Sequence, residues 1–176
     1  MILGMSTATF TAIHVLISLV GIGSGLVVMY GLFHANRFER WTQVFLATTA
    51  LTSLTGFLFP NEHITPGIVI GILSLIILAV AAGARYGLRM RGPWRLVYVI
   101  SAAIALYFNV FVFVVQSFEK VAPLRALAPT QKEPPFGVTQ LLVLVMFVVA
   151  TVCAVKRFRP DTGVAESAAA TQKRAA

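Results

Sequence analysis

Long apolar segments alternate with short polar ones along the whole chain. The pattern predicts five membrane spans, at about residues 10–33, 41–59, 65–84, 96–118 and 136–155. Each is close to the ~20 residues that an α-helix needs to cross a hydrocarbon core of ~30 Å. We therefore predict an all-α integral membrane protein, in which residues 1–159 form one bundle of five transmembrane helices.

The composition agrees with a membrane class and leaves no room for a soluble domain. Charged residues are 11% of the 176 residues, against ~25% in soluble domains. The mean hydropathy is +0.86. Residues 160–176 are rich in alanine and polar side chains, so we predict that they form a disordered cytoplasmic tail.

The positive charges are distributed unevenly between the two predicted membrane sides. The net charge is +8, and eleven of the 14 cations fall on one side if the spans alternate. That side holds Arg37, Arg40, Arg85, Arg89, Arg91, Arg95, Lys156, Arg157, Arg159, Lys173 and Arg174; the other holds Lys120, Arg125 and Lys132. Basic residues stay in the cytoplasm, so the N-terminus is predicted outside and the C-terminus inside. Orientation and contact with membrane lipids account for the charge, and we expect no nucleic-acid partner.

Small residues on two spans predict where helices pack. Membrane helices associate through small side chains and buried polar groups. Span one carries Ser18, Gly21 and Gly25 on one face, and span three carries Gly67 and Gly71. Such a stripe serves packing within one chain or pairing with a second copy, and the sequence leaves both open.

Five polar residues form a candidate ligand pocket at the outer side. His14 shares a face with the small stripe of span one, so it should point into the bundle. Asn109 and Gln116 are seven apart on span four, while His63 and Gln140 lie near the same membrane side. Polar groups in a membrane are costly and are candidates for function. We expect either a pocket for a haem, a quinone headgroup, a metal or a small polar ligand, or a structural hydrogen bond from His14.

The positions of the histidines show whether the chain could bind haem. A b-type haem in a membrane usually needs two inward histidines at matching depth. His14 and His63 are the one pair on the same side, because His34 lies at the opposite face. The Walker A, H-E-x-x-H and G-x-S-x-G motifs do not occur in the chain, so we predict no catalytic residue and no dedicated metal site.

The longest predicted loop, residues 119–135, contains an apolar pattern of its own. Val121, Leu124 and Leu127 are spaced three apart and could form one amphipathic turn on the membrane surface. The loop is interpreted as a linker, with a docking surface for a partner as the alternative.

Four stretches carry a resemblance to a known type of protein. They are residues 14–25, residues 55–60 (Thr-Gly-Phe-Leu-Phe-Pro), residues 106–111 and residues 126–136. Together they resemble an uncharacterised group of small multi-pass inner-membrane proteins of Gram-negative bacteria. The resemblance implies a bacterial inner membrane and supplies no activity or site residue.

Three functions remain open from the sequence. The first is a non-enzymatic accessory protein or subunit of a membrane assembly, which binds another membrane protein or itself. The second is a redox module that holds haem or quinone near His14. The third is a small oligomeric carrier or channel.

Overall fold

The chain folds entirely into helices in the computed structural model, which describes residues 2–60 and 65–158. The helices are α1 (Thr7–Phe33), α2 (Glu39–Gly56), α3 (Pro66–Ala82), α4 (Trp94–Lys120), α5 (Ala122–Leu127) and α6 (Pro134–Arg157). A π-helical turn, Gly83–Gly87, continues α3. The prediction of an all-helical protein is confirmed over these residues. The predicted tail lies outside them.

Four of the helices are long and apolar enough to cross a membrane. They are α1, α3 with its π-helical turn, α4 and α6, with mean hydropathies of 2.2 to 2.6. These four helices fit the predicted membrane class. The predicted second span, α2, is less apolar because it begins with Glu39 and Arg40 and is rich in threonine. Length and composition support four spans, and these two properties alone do not identify α2 as a fifth.

Local sequence signals determine where the helices begin. The Ser6 hydroxyl accepts a hydrogen bond from the Thr9 amide at the start of α1. Thr65 caps α3 in the same way, with a proline at the first helical position. Such caps satisfy amide groups that a helix start leaves without partners. Proline also opens α6, two residues before the predicted start of that span.

Helix α4 is the centre of the bundle. It packs against α1, α3, α5 and α6, while α1 packs on α2 and α2 on α3. Half of the most apolar part of α4 is buried, against 11% for α6. Helices α1, α2, α3 and α4 thus share a common core, and α6 lies along the edge between α1 and α4. Its outward face is apolar, as expected for a surface in contact with lipid.

Close approach of α1 to its neighbours depends on its glycines. A Cβ added at Gly25 would lie 2.5 Å from Leu106 Cδ1 and 2.9 Å from the Phe45 ring. One added at Gly21 would lie 3.3 to 3.4 Å from polar atoms of α2 and α4. On α3, a Cβ at Gly71 would meet the Phe57 ring at 2.9 Å. Three glycines predicted to pack therefore lie in tight helix contacts.

The other two members of the predicted stripes are less enclosed. Ser18 is half-buried, one turn before Gly21. Gly67 is exposed near the start of α3, so the structure does not place it in a helix contact of the described residues. The α3 stripe was expected to pack along its length, but it packs only from Gly71 onward because Gly67 is still in the first turn.

The bundle has two chemically different ends, the basic end and the His14 end. The basic end contains residues 34–38, residues 83–95 and the last residues of α6, joined by contacts of Arg85 and Arg95. The His14 end contains the start of α1, the end of α2, the end of α4 and the start of α6.

Candidate functional site

His14 is bonded to the neighbouring helix α2. Its Nδ1 lies 2.8 Å from Oγ1 of Thr55. The Thr55 hydroxyl donates its proton to the Leu51 carbonyl at 2.7 Å, as threonine does inside helices. The hydroxyl oxygen therefore accepts from His14, and Nδ1 carries the proton in the neutral ring. This leaves the lone pair of Nε2 available, which is the arrangement of a metal-ligating or proton-accepting histidine.

Two aromatic rings and a glycine surround this histidine. The Phe59 ring packs edge-on against His14 at 5.2 Å, and Phe10 packs against Phe59 at 5.1 Å. Phe10 is buried, whereas His14 is half-buried. Gly56 leaves space beside the imidazole, since a Cβ there would lie 3.7 Å from Cε1. Within the part of the chain that the structure describes, the residues found around the hydrogen-bonded pair are apolar.

A second polar contact lies deeper in the bundle. Asn109 is buried and donates from Nδ2 to the Thr49 hydroxyl at 2.9 Å, which joins α4 to α2. Gly21 of α1 leaves the room for this pair. The Asn109 amide thus holds α4 and α2 together.

The remaining predicted pocket residues lie apart from these two contacts. Gln116 is exposed and bonds Glu119 of its own helix at 3.4 Å. Gln140 donates to the Phe111 carbonyl at 3.2 Å, and its buried Oε1 has no partner in the described part of the chain. His63 lies outside the described residues.

The expected convergence into one outer pocket is therefore not found among the four residues that can be placed. Each has its own partner, and no hydrogen bond joins one of them to another. Gln116 was expected inward because it shares a face with Asn109, but it lies near the end of α4, where that face is no longer covered. Because His63 is not among the described residues, a haem held by two histidines can be checked only at His14, and imidazole is a usual axial ligand.

The most enclosed charged group is Arg85 at the basic end, which sequence reasoning treated as a loop cation. Only 4% of this residue is exposed. Its Nη2 donates to the Glu39 carboxylate and to the Arg37 carbonyl, both at 2.7 Å. Its Cζ lies 4.9 Å from the centre of the Tyr98 ring, a cation–π distance.

Two donors of the Arg85 side chain, Nε and Nη1, have no acceptor among the described residues. A second tyrosine ring, that of Tyr86, lies nearby, with its centre 5.7 Å from Cζ. The sequence signal for this burial is the unbroken run of small residues, 81–84, directly before Arg85. The π-helical turn Gly83–Gly87 then carries the helix past the predicted end of the span and brings the arginine into the bundle.

Arg95 forms the other cross-helix contact at the basic end. It donates to the carbonyls of Val155 and Phe158, at the end of α6. Phe158 is fully buried near Tyr98. The arginine satisfies carbonyls that a helix end leaves without partners, and it attaches α6 to α4.

Comparison with known proteins adds no further assignment. No protein-family model, curated protein or solved structure matches this chain. Within the described residues, no group of three or more histidine, cysteine or acidic side chains could hold a metal ion. Among the predicted site residues that the structure describes, the chemistry consists of the His14 imidazole and a set of polar contacts between helices.

Proposed function

We propose that the protein is a five-span protein of the bacterial inner membrane, with its N-terminus outside. The path of α2 supports the fifth span. One end of α2 contacts His14 through Thr55, and the other contacts Arg85 through Glu39. Its 18 residues rise roughly 27 Å, close to the thickness of the hydrocarbon core. Its low hydropathy comes partly from buried Thr42, Thr49 and Ser53, whose side chains face the bundle.

The distribution of cations and the resemblance noted above support the orientation and the membrane. Reporter fusions test both. Fusions at Ala35 and Met90 and after the last residue should report the cytoplasm, and one at Ala128 should report the outside. The opposite labelling at any two sites would contradict the topology.

For function, we propose a non-enzymatic accessory protein or subunit of a membrane assembly. The observation that carries this proposal is the pairing of the polar side chains within the spans: His14 with Thr55, and Asn109 with Thr49. An enzyme or carrier directs such groups at a substrate, whereas here they join helix to helix. Of the four long apolar helices, α6 is the least covered, and its outward face is apolar and suited to a partner helix.

Photocrosslinking in cells tests this role. A photoreactive residue at Leu142 or Val149, both outward on α6, should give a discrete adduct with another membrane protein. The same residue at Ile76, outward on α3, is the control and should react only with lipid. An adduct of twice the chain mass would favour the oligomeric carrier or channel instead. Reaction with lipid alone at all three positions, without a discrete protein adduct, would contradict the accessory role.

The free lone pair of His14 Nε2 favours a second candidate, a redox module near the His14 end. Haem would bind through this nitrogen, with Thr55 holding the imidazole in position. The test is an ultraviolet–visible spectrum of the purified protein, before and after dithionite, with haem supplied during expression. A Soret band lost in His14→Ala, and weakened in Thr55→Val, would support this candidate. A spectrum without visible bands would remove haem and leave only colourless ligands such as quinone.

A further inference from the structure

The loop between α4 and α6 borders an open polar cavity that no function described so far uses. Its volume is about 560 Å³, within the ~300–1,000 Å³ of ligand pockets. It lies where α4 ends and α5 begins, at the His14 end of the bundle. Phe118, Glu119 and Lys120 line one side, and Arg125, Thr130 and Gln131 line the other.

Hydrogen bonds hold the walls of this cavity in place. Glu133 accepts from the Thr130 hydroxyl at 2.8 Å and from the Lys132 amide at 3.0 Å. Gln131 donates to the Val115 carbonyl of α4 at 3.1 Å. Ala128 is fully buried beneath the loop. The cavity is thus formed before any ligand arrives, which lowers the entropic cost of binding.

Positive charge is in excess around the cavity. Lys120 makes a long ion pair of 3.8 Å with Glu119, and both side chains are more than half exposed. The Arg125 side chain has no hydrogen bond or ion pair within residues 2–60 and 65–158. Of the charged residues that line the cavity itself, two are cations and one is a carboxylate, so the lining has a net positive charge and the fitting ligand is an anion. The arginine can bind a phosphate through two parallel N–H groups.

The position of the cavity indicates where that anion comes from. Val121, directly before the short helix α5, and Leu127, its last residue, are 46% and 58% exposed, although both are apolar. At the end of a membrane span, such residues insert into the boundary between headgroups and acyl chains. The cavity then lies at the depth of the lipid phosphates. A zwitterionic headgroup brings its own cation, so an anionic lipid neutralises the two basic residues better.

We propose that this cavity binds the phosphate of an anionic phospholipid, with Arg125 and Lys120 as its ligands. Glu119 competes with the phosphate for Lys120. The site is separate from the His14 contact and from the outward face of α6, so it does not depend on either proposed function.

Native mass spectrometry of the full chain, titrated with phosphatidylglycerol or phosphatidylcholine in detergent, tests the site. The wild type should bind phosphatidylglycerol in preference. Arg125→Gln should weaken that binding about tenfold, as expected for the loss of a charged hydrogen bond. Lys132→Gln removes a cation from the same loop outside the cavity, and it should leave binding unchanged.

A variant that should bind the lipid more tightly distinguishes an effect on the site from misfolding. Glu119→Gln removes the competing carboxylate and should tighten binding of phosphatidylglycerol, which damage to the fold would not do. Equal weakening by Arg125→Gln and Lys132→Gln would overturn the proposal, because only diffuse charge would then be acting. Binding of sn-glycerol 3-phosphate as tightly as the lipid would overturn the lipid assignment and indicate a soluble phosphate ester.

Discussion

Arg85 and Glu39 form an ion pair in which the cation is buried and the carboxylate is half exposed. The Nη2–Oε2 distance is 2.7 Å, and the side chains are 2% and 54% exposed. The pair ties the end of α3 to the start of α2, at a π-helical turn that brings the arginine inward. Single π-helical turns of this kind are frequent at functional sites.

Loss of the carboxylate should destabilise the bundle, because Arg85 would remain buried without its counter-charge. Glu39→Gln should lower the free energy of unfolding by about 1–3 kcal/mol, less than for a fully buried pair. Unfolding in mixed micelles with increasing dodecyl sulfate measures the change. Glu119→Gln removes the same charge from an exposed pair and should cost under ~1 kcal/mol. Equal effects of the two variants would show that the Arg85 pair is not stabilising.

Gly25 should tolerate no side chain. Gly25→Ala places a methyl group against Leu106 and Phe45 and should destabilise by about 1–3 kcal/mol. Gly23, two residues earlier, has open space at its Cβ position. Gly23→Ala is therefore the matched control and should be neutral or slightly stabilising in the same unfolding assay. A destabilised Gly23→Ala would indicate that α1 contacts something on its outward side.

The Asn109–Thr49 hydrogen bond should appear as a coupling in a double-mutant cycle. Asn109→Ala and Thr49→Val, alone and together, should give an interaction energy of about 0.6–2 kcal/mol. Thr55 bonds His14 and not Asn109, so the effect of Thr55→Val should be additive with that of Asn109→Ala. A coupling as large for Thr55 as for Thr49 would mean that the substitutions disturb α2 as a whole.

The loop that borders the cavity should depend on pH through Glu133. Partial desolvation opposes ionisation, but hydrogen bonds from the Thr130 hydroxyl and from the Thr130 and Lys132 amides outweigh it and lower the pKa of Glu133. A lowered pKa means that the loop is stabilised above the ordinary pKa of a glutamate. That contribution is lost as the pH falls through the lowered value.

Hydrogen exchange of the Thr130 and Lys132 amides measures this effect. After correction for intrinsic rates, protection should be high near neutral pH and fall on acidification. Glu133→Gln should show weak protection at every pH. Protection of the wild type that does not change with pH would contradict the role of the carboxylate.

The helices were predictable because the apolar runs are long and their ends are marked by caps and prolines. The boundaries differ by a few residues: α1 begins at Thr7 instead of residue 10, and α6 at Pro134 instead of residue 136. The amphipathic turn around Leu124 is observed as α5. Hydropathy alone could not show whether α2 is a span. Its threonines lower the hydropathy of the helix, although the buried ones face the interior of the bundle.

The site was harder to predict than the fold. Helical phase identified His14 and Asn109 as inward, but it could not identify their partners on α2. It placed Gln116 inward as well, because phase alone does not show where a neighbouring helix ends. The burial of Arg85 was missed because arginine after an apolar run is usually interfacial, and only the packing of small residues 81–84 reveals the exception.

The attachment of Phe158 has a consequence for how the protein is made. The last helix has little buried surface along its length, and its contact with Tyr98 and one of its two contacts with Arg95 are made by Phe158, one residue beyond its end. During synthesis, the first four long helices can therefore assemble before the last one is fixed. A chain that stops before residue 158 would leave the carbonyl-binding face of Arg95 and the Tyr98 surface uncovered. Such a truncated product should be recognised and degraded by membrane quality control, even though every hydrophobic span has been translated.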